Sequence, residues 1–164
     1  MSVTVYLGLG ANLGDRAAAL AAAAADIARE GPLRDVVLSP LYETDAVAPG
    51  GPQPPYLNAV LRGVTDTEAG ELLARCLRVE AALGRVRPSG VDKAPRLIDI
   101  DLLLYGEAVI DAGPTLVVPH PAMLDRAFVL IPLADVAAPG LVHPVSRRSL
   151  AVATAAPGVR RVPG

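Results

Sequence analysis

Asp99 and Asp101 stand two residues apart in the apolar run Arg96-Leu97-Ile98-Asp99-Ile100-Asp101-Leu102-Leu103-Leu104-Tyr105. In a strand, alternate side chains share a face, so the two carboxylates lie side by side, roughly 7 Å apart along the backbone. Ile98, Ile100, Leu102 and Leu104 are then expected on the other face, anchoring the strand in a core. Two carboxylates projecting together repel, and burying them unpaired costs on the order of several kcal/mol. A divalent cation resolves the conflict, and oxygen-only ligands suit Mg²⁺. From spacing alone, a wet sheet face or an arginine for each carboxylate resolves it equally well.

Arginines cluster around this pair in the chain. Arg85 and Arg87 open an irregular loop over 84–95, Arg96 closes it, and Arg126 follows His120. Guanidinium groups make planar, two-pronged contacts with phosphate oxygens. Paired aspartates with loop arginines are a recurring kit for phosphoryl transfer, where metals bridge the phosphates and arginines offset charge. Singly, each arginine reads equally well as a solvated surface residue. His120 lies between Pro119 and Pro121, which restrict its backbone. It suits a hydrogen bond to phosphate or a structural role. Tyr56 and Asn58 again share a strand face: Tyr offers a stacking plane, and Asn offers the donor–acceptor pair that fits the amide-like edge of a heterocycle. Phe128 offers a second plane. Ordinary packing is the competing reading for all three.

The elements that must position these residues follow from the pattern. Val3–Leu9 alternates as a strand, and Gly8, Gly10 and Gly14 are expected to form a tight turn after it, bringing Asn12 toward the core. The spacing is GxGxxxG, not the GxGxxG of a dinucleotide site, and no GxxxxGK[ST] phosphate loop occurs. Asp15 caps a helix over Arg16–Arg29, which Gly31-Pro32 ends. Val36–Thr44 reads as one strand bent at Pro40. Residues 45–55, rich in proline and glycine, read as a functional loop, and Tyr56–Val64 as a third strand. Thr67 caps a helix over 68–83 with Leu72, Leu73, Cys76, Leu77 and Leu83 on its buried stripe; Cys76 reads as a small core residue. Leu97–Tyr105 is a strand, 109–118 a hairpin return, 126–136 a helix and Leu141–Val145 an edge strand, with a frayed end over 157–164. His143 is assigned to structure. Mixed helices and hairpin-joined strands favour an α+β layer fold over a parallel wind.

Composition narrows the function classes. The 164 residues predict one domain over 1–164. Apolar residues at 52% exclude a disordered tail. Net charge of -2 argues against a broad basic nucleic-acid surface, and 3% aromatics with no Trp argue against a single-strand binder. One cysteine excludes an internal disulfide framework and a Cys-based zinc site. The Ala-rich run at 17–25 is too short to span a membrane and follows a strand-like segment without a basic leader. A reducing cytoplasm is the expected compartment.

Taken together, YLGLGANLGDR (6–16), YETDAVAPGGPQPPYLNAV (42–60), EAALGRVR (80–87), APRLIDIDLLLYG (94–106) and VPHPAMLDRAFVLIPLADVAAP (118–139) resemble the 6-hydroxymethyl-7,8-dihydropterin pyrophosphokinases. GRxR, PRxxDxD and PHPxxxxRxFVLxPL in this order are specific in combination and weak singly. The resemblance implies a ferredoxin-like α+β sandwich, mainly antiparallel, that acts as a monomer. It implies transfer of pyrophosphate from ATP to the pterin hydroxymethyl group, releasing AMP. Asp99 and Asp101 match aspartates that hold two Mg²⁺ ions. Arg85 and Arg96 match arginines that engage the transferring phosphates, and Arg87, Leu102, His120 and Arg126 match further ATP positions. Thr44, Asp45, Val47, Tyr56, Asn58 and Phe128 match the pterin pocket, with Asp99 reaching into it. Glu80 matches a helix acid expected to brace an arginine. This chain departs from the pattern at Ala11, where the family usually has Ser, at Pro121, where an aromatic can stand, and in lacking a Trp before the PR motif. Two other readings remain at this stage: a non-catalytic ligand-binding module, which would bind without turnover, and a nucleotide-dependent oxidoreductase built on the glycines, which would bind nicotinamide.

Overall fold

The computed structural model describes residues 1–12, 14–30, 32–48, 51–84, 98–152 and 155–163, with the backbone alone at 46–48 and 51–54. Arg85, Arg87, Arg96 and the loop that carries them lie outside the described residues. β1 (Val3–Ala11), α1 (Arg16–Glu30), β2 (Arg34–Leu38), β3 (Tyr42–Ala48), β4 (Gly51–Thr65), α2 (Ala69–Leu83) and β5 (Asp99–Tyr105) follow in order. A short hairpin of β6 (Ile110–Asp111) and β7 (Val117–Val118) comes next, then α3 (Ala127–Val136) and β8 (Val159–Arg161). The main sheet runs β5-β1-β4-β3-β8, with β2 also on β4. Every pairing in it is antiparallel. This is the α+β ferredoxin-like sandwich, with β2 and β3 sharing one sheet position along the long β4.

Alternation decides which residues face which layer. Val5, Leu7, Leu9 and Ala11 of β1 join Leu57, Ala59 and Leu61 of β4 and Ile98, Ile100 and Leu102 in one core. Helices α1 and α2 cover it. Leu20, Ala23, Ala24 and Ile27 recur at the spacing of one helix face. Asp15 starts that helix: its Oδ1 accepts the Ala18 amide N–H at 3.1 Å, occupying an otherwise unpaired donor. α2 buries Ala69, Leu72, Cys76 and Val79. Truncating a fully buried leucine such as Leu20 or Leu72 to alanine costs about 2–5 kcal/mol.

The other sheet face is only half covered. Tyr6, Val60, Leu103 and Leu104 pack under Val129, Leu133 and Val136 of α3. Polar groups fix that helix at its far end. Arg62 donates to the Val136 carbonyl at 2.9 Å, the Ala138 N–H donates to the Tyr6 hydroxyl at 3.0 Å, and the Tyr42 hydroxyl donates to Asp135. At the opposite end, before the start of α3, the sheet face opens into a cavity over Gly8, Gly10 and Asn58.

Several sequence expectations are corrected. β1 continues through Gly8 and Gly10 to Ala11, so those glycines lie in the strand and form no turn; Gly14 alone takes a positive φ, 62°. The expected strand over 36–44 is two strands, parted around Pro40. Much of the expected 45–55 loop is a hairpin, with Ala46 opposite Gln53 and Val47 opposite Pro52. Its prolines are tolerated because this part of β4 extends beyond Leu57, where its pairing with β1 ends. Leu104 joins the α3 side, because the register shifts from Tyr6↔Leu104 to Leu7↔Leu102 and leaves Leu103 as an extra residue. Thr67 does not cap α2; Glu68 holds that position without a side-chain cap, and the Thr67 N–H donates to Thr65 Oγ1. Leu77 is off the buried stripe, 47% exposed. The 141–145 edge strand reduces to one bridge, Val142 to Ser149. The expected frayed end instead pairs with β3 as β8.

Candidate active site

The register places the acidic pair over a floor without side chains. Gly10 lies opposite Asp99 on one side and Asn58 on the other, and Gly8 lies opposite Asp101 and Val60. Directly opposed residues share a face, so Asp99, Asp101 and Asn58 rise around two glycines. A Cβ on Gly10 would stand 3.1 Å from Asn58 Oδ1, which makes glycine the residue that lets this amide sit close. The spacing of the two glycines matches that of the two aspartates, and this is the signal the sequence reading assigned to a turn.

Two cavities meet at the acidic pair. The first, about 350 Å³, is lined by Gly8, Gly10, Thr44, Asp45, Tyr56, Asn58 and Phe128 together with Asp99, Asp101 and Arg126. Asn58 is buried, and its Nδ2 donates to Thr44 Oγ1 at 2.8 Å. That bond fixes the amide's orientation and leaves its oxygen side toward Gly10. Phe128 lies at the start of α3, with the Arg126 guanidinium 5.8 Å from its ring centroid, within cation–π reach. Val47 is on β3 next to this wall, with only its backbone described.

The second cavity, about 540 Å³, shares Asp99, Asp101 and Arg126 and adds Glu80, Leu102, His120, Pro121 and apolar groups of α2 and the 114–117 segment. His120 Nε2 stands 3.8 Å from Asp101 Oδ1, and an Arg126 nitrogen 3.9 Å from Asp101 Oδ2. Both exceed hydrogen-bond length, so Asp101 has an imidazole and a guanidinium near it without being capped by either. The Ala122 amide N–H donates to His120 Nδ1 at 3.1 Å, which leaves the ring proton of the neutral imidazole on Nε2, toward Asp101. Burial pushes the His120 pKa below its ordinary value, against the pull of the Asp101 charge; Arg126 pushes the same way as burial.

Glu80 supports the acidic strand from behind. Its Oε2 accepts the Ile100 N–H at 3.0 Å, between the two aspartates. This bond to a backbone amide positions β5 itself; the loop arginines that Glu80 is expected to brace lie outside the described residues. Cys76 is buried, and burial with the nearby Glu80 charge pushes its thiol up to about 12, so it stays a protonated core residue. His143 belongs to structure as expected: its Nδ1 accepts the Val145 and Ser146 N–H groups of its own turn.

Of the expected site residues, the fold brings together Thr44, Asp45, Tyr56, Asn58, Asp99, Asp101, Leu102, His120, Arg126 and Phe128. It adds Gly8, Gly10 and Glu80 as the residues that hold them.

An antiparallel α+β sandwich with an acidic pair and an arginine between two cavities is an arrangement suited to phosphoryl transfer. The sequence profile described as 7,8-dihydro-6-hydroxymethylpterin-pyrophosphokinase (HPPK) matches residues 6–138. The chain belongs to this family, and its activity is the pyrophosphokinase reaction of folate biosynthesis. It is 40% identical to the 2-amino-4-hydroxy-6-hydroxymethyldihydropteridine pyrophosphokinase of Pseudomonas aeruginosa, covering 98% of this chain and 97% of that one. The protein of the same description from Methylorubrum extorquens is 45% identical, over 80% of this chain and 81% of that one. The folic acid synthesis protein fol1 of Pneumocystis carinii is 38% identical over 90% of this chain, which spans only 19% of that longer protein. In shape, a solved HPPK-DHPS in complex with substrates superposes with a TM-score of 0.66 at 12% identity, covering 92% of this chain and 42% of that one. No helix among the described residues is long and apolar enough to cross a membrane.

Proposed function

We propose that the first cavity takes the pterin, the second takes ATP, and the acidic pair between them holds two Mg²⁺ ions on the triphosphate. The observation that carries this reading is the shared wall: Asp99 and Asp101 line both cavities. The donor set fits the metal. Asp99 and Asp101, two carboxylates on one strand face, would hold the metal with the hard oxygen ligands that Mg²⁺ prefers. Bound there, magnesium would offset phosphate charge and ease loss of the hydroxyl proton.

The chain's own residues position the reactants. Asn58 and Thr44 bind the amide-like edge of the pterin, and Tyr56 and Phe128 bound its ring. The primary hydroxyl then lies beside the acidic pair, facing the β-phosphorus in line. Its oxygen bonds to that phosphorus as the bond to the α-phosphate oxygen breaks; AMP leaves, and the hydroxyl proton passes to solvent without an obligatory side-chain base. His120 and Arg126 engage phosphate oxygens from the nucleotide side, and Arg85, Arg87 and Arg96 add charge from the loop. The test is AMP formation from Mg-ATP and 6-hydroxymethyl-7,8-dihydropterin. Asp99→Ala and Asp101→Ala should each lower turnover by roughly 10³-fold or more with the melting temperature kept. A variant that retains most of its activity removes the metal assignment.

A further inference from the structure

The family profile ends at residue 138, yet the chain returns to the site beyond it. β8 pairs with β3, Thr44 opposite Val159 and Glu43 opposite Arg160. β3 is irregular just there: pairing passes from Thr44↔Tyr56 to Ala46↔Gln53, so one residue, Asp45, faces two, Pro54 and Pro55. A proline pair has no amide donors with which to hold that bulge. Glu43 and Asp45 flank Thr44, the hydrogen-bond partner of Asn58, and carry like charges.

We infer that Arg160 is a positioning residue for the pterin-side wall, acting through Glu43 and Asp45 to hold the β3 bulge around Thr44. One guanidinium nitrogen of Arg160 reaches both acids, Glu43 Oε1 at 3.1 Å and Asp45 Oδ1 at 3.0 Å. Arg16, at the start of α1, completes the clamp. It donates to Glu43 Oε2 at 3.0 Å and to the carbonyl of Pro55, the residue before Tyr56, at 2.7 Å. The bonds from Arg160 and then Arg16 hold the Glu43 carboxyl below the usual carboxylate range. Arg160 and Asp45 are both largely exposed, at 49% and 68% of their side chains. Such surface pairs contribute little to global stability. The effect belongs in the shape of the pocket, with the melting temperature nearly unchanged. The inference rests on the pterin reading of that cavity.

The experiment compares the full-length wild type with Arg160→Met, Arg160→Lys, Asp45→Asn and the Asp45→Asn/Arg160→Met double variant. KM is measured for each substrate, with pterin Kd by fluorescence and Tm alongside. Arg160→Met should raise pterin KM and Kd about 3–10-fold while ATP KM stays within about 2-fold. Lys should restore at least half of the loss, because it keeps the charge but not the fork. The double variant should bind pterin no more weakly than the worse single one, because both remove one contact. Unchanged pterin KM in Arg160→Met overturns the inference, as does an equal rise in both KM values that follows a falling Tm. A wild type that neither binds pterin nor forms AMP would instead remove the pyrophosphokinase reading, and this inference with it.

Discussion

The two cavities on either side of the acidic pair are built by different means. The Asn58 side is strand-made: β1, β3 and β4 set its floor and walls by register, and Asn58 is locked by Thr44. The His120 side is assembled from α2, β5, the 114–117 segment and the turn before α3, and its polar groups stand at 3.8–3.9 Å from Asp101. Backbone pairing gives a wall of fixed shape, suited to a flat heterocycle whose edge must be matched. A guanidinium and an imidazole N–H at longer range suit a flexible polyphosphate, where charge and donors count more than outline. The pair of aspartates belongs to both, and under the proposed function this is where the two substrates meet.

If this contrast holds, substitutions should separate the two substrates. Asn58→Ala should have the largest effect of the single-cavity changes, about a 100-fold loss in kcat/KM for pterin, because a site built to hydrogen-bond is left unpaired. ATP affinity, read by titration of the same variant, should stay; a matching loss for both ligands would break the contrast. His120→Ala should act in reverse, raising ATP KM about 10-fold with pterin Kd unchanged. Gly10→Ala sharpens the point: its Cβ pressing on Asn58 Oδ1 at 3.1 Å should weaken pterin binding several-fold, of the order of 1 kcal/mol, in direct calorimetry.

The smallest effect is expected outside both cavities. Burial pushes the His143 pKa below its ordinary value, so the unfolded chain binds more protons there than the folded one. Stability from this group is complete above the unfolded value near 6.5 and falls as pH drops below it toward the lowered folded value. His143→Asn, which keeps an acceptor for the turn, should flatten that part of the Tm-against-pH curve and leave both substrate affinities alone. An unchanged slope would remove His143 as its source.

Local pattern was enough for the residues that alternate on one strand. Asp99 and Asp101, and Tyr56 and Asn58, share faces because the pleat has a period of two, and Asp15 caps α1 because its carboxylate lies within reach of the Ala18 amide. Pattern failed where a neighbouring strand decides. Gly8 and Gly10 look like a turn until β4 and β5 are laid beside them. Residues 45–55 look like a loop because prolines mask a hairpin, and the end of the chain looks loose until β3 supplies its partner. Leu77 fits the apolar stripe of α2 by spacing, but the cavity opens beside it.

The sequence by itself determined the layer architecture, the acidic pair and the chemistry those side chains favour, since composition and periodicity act within a few residues. Tertiary structure alone decided that glycines would floor the acidic pair, that Glu80 would brace β5 through the Ile100 amide, and that Arg160 would reach Asp45 across more than a hundred positions. Those contacts depend on register between distant strands, and register is set by how whole faces bury against α1, α2 and α3.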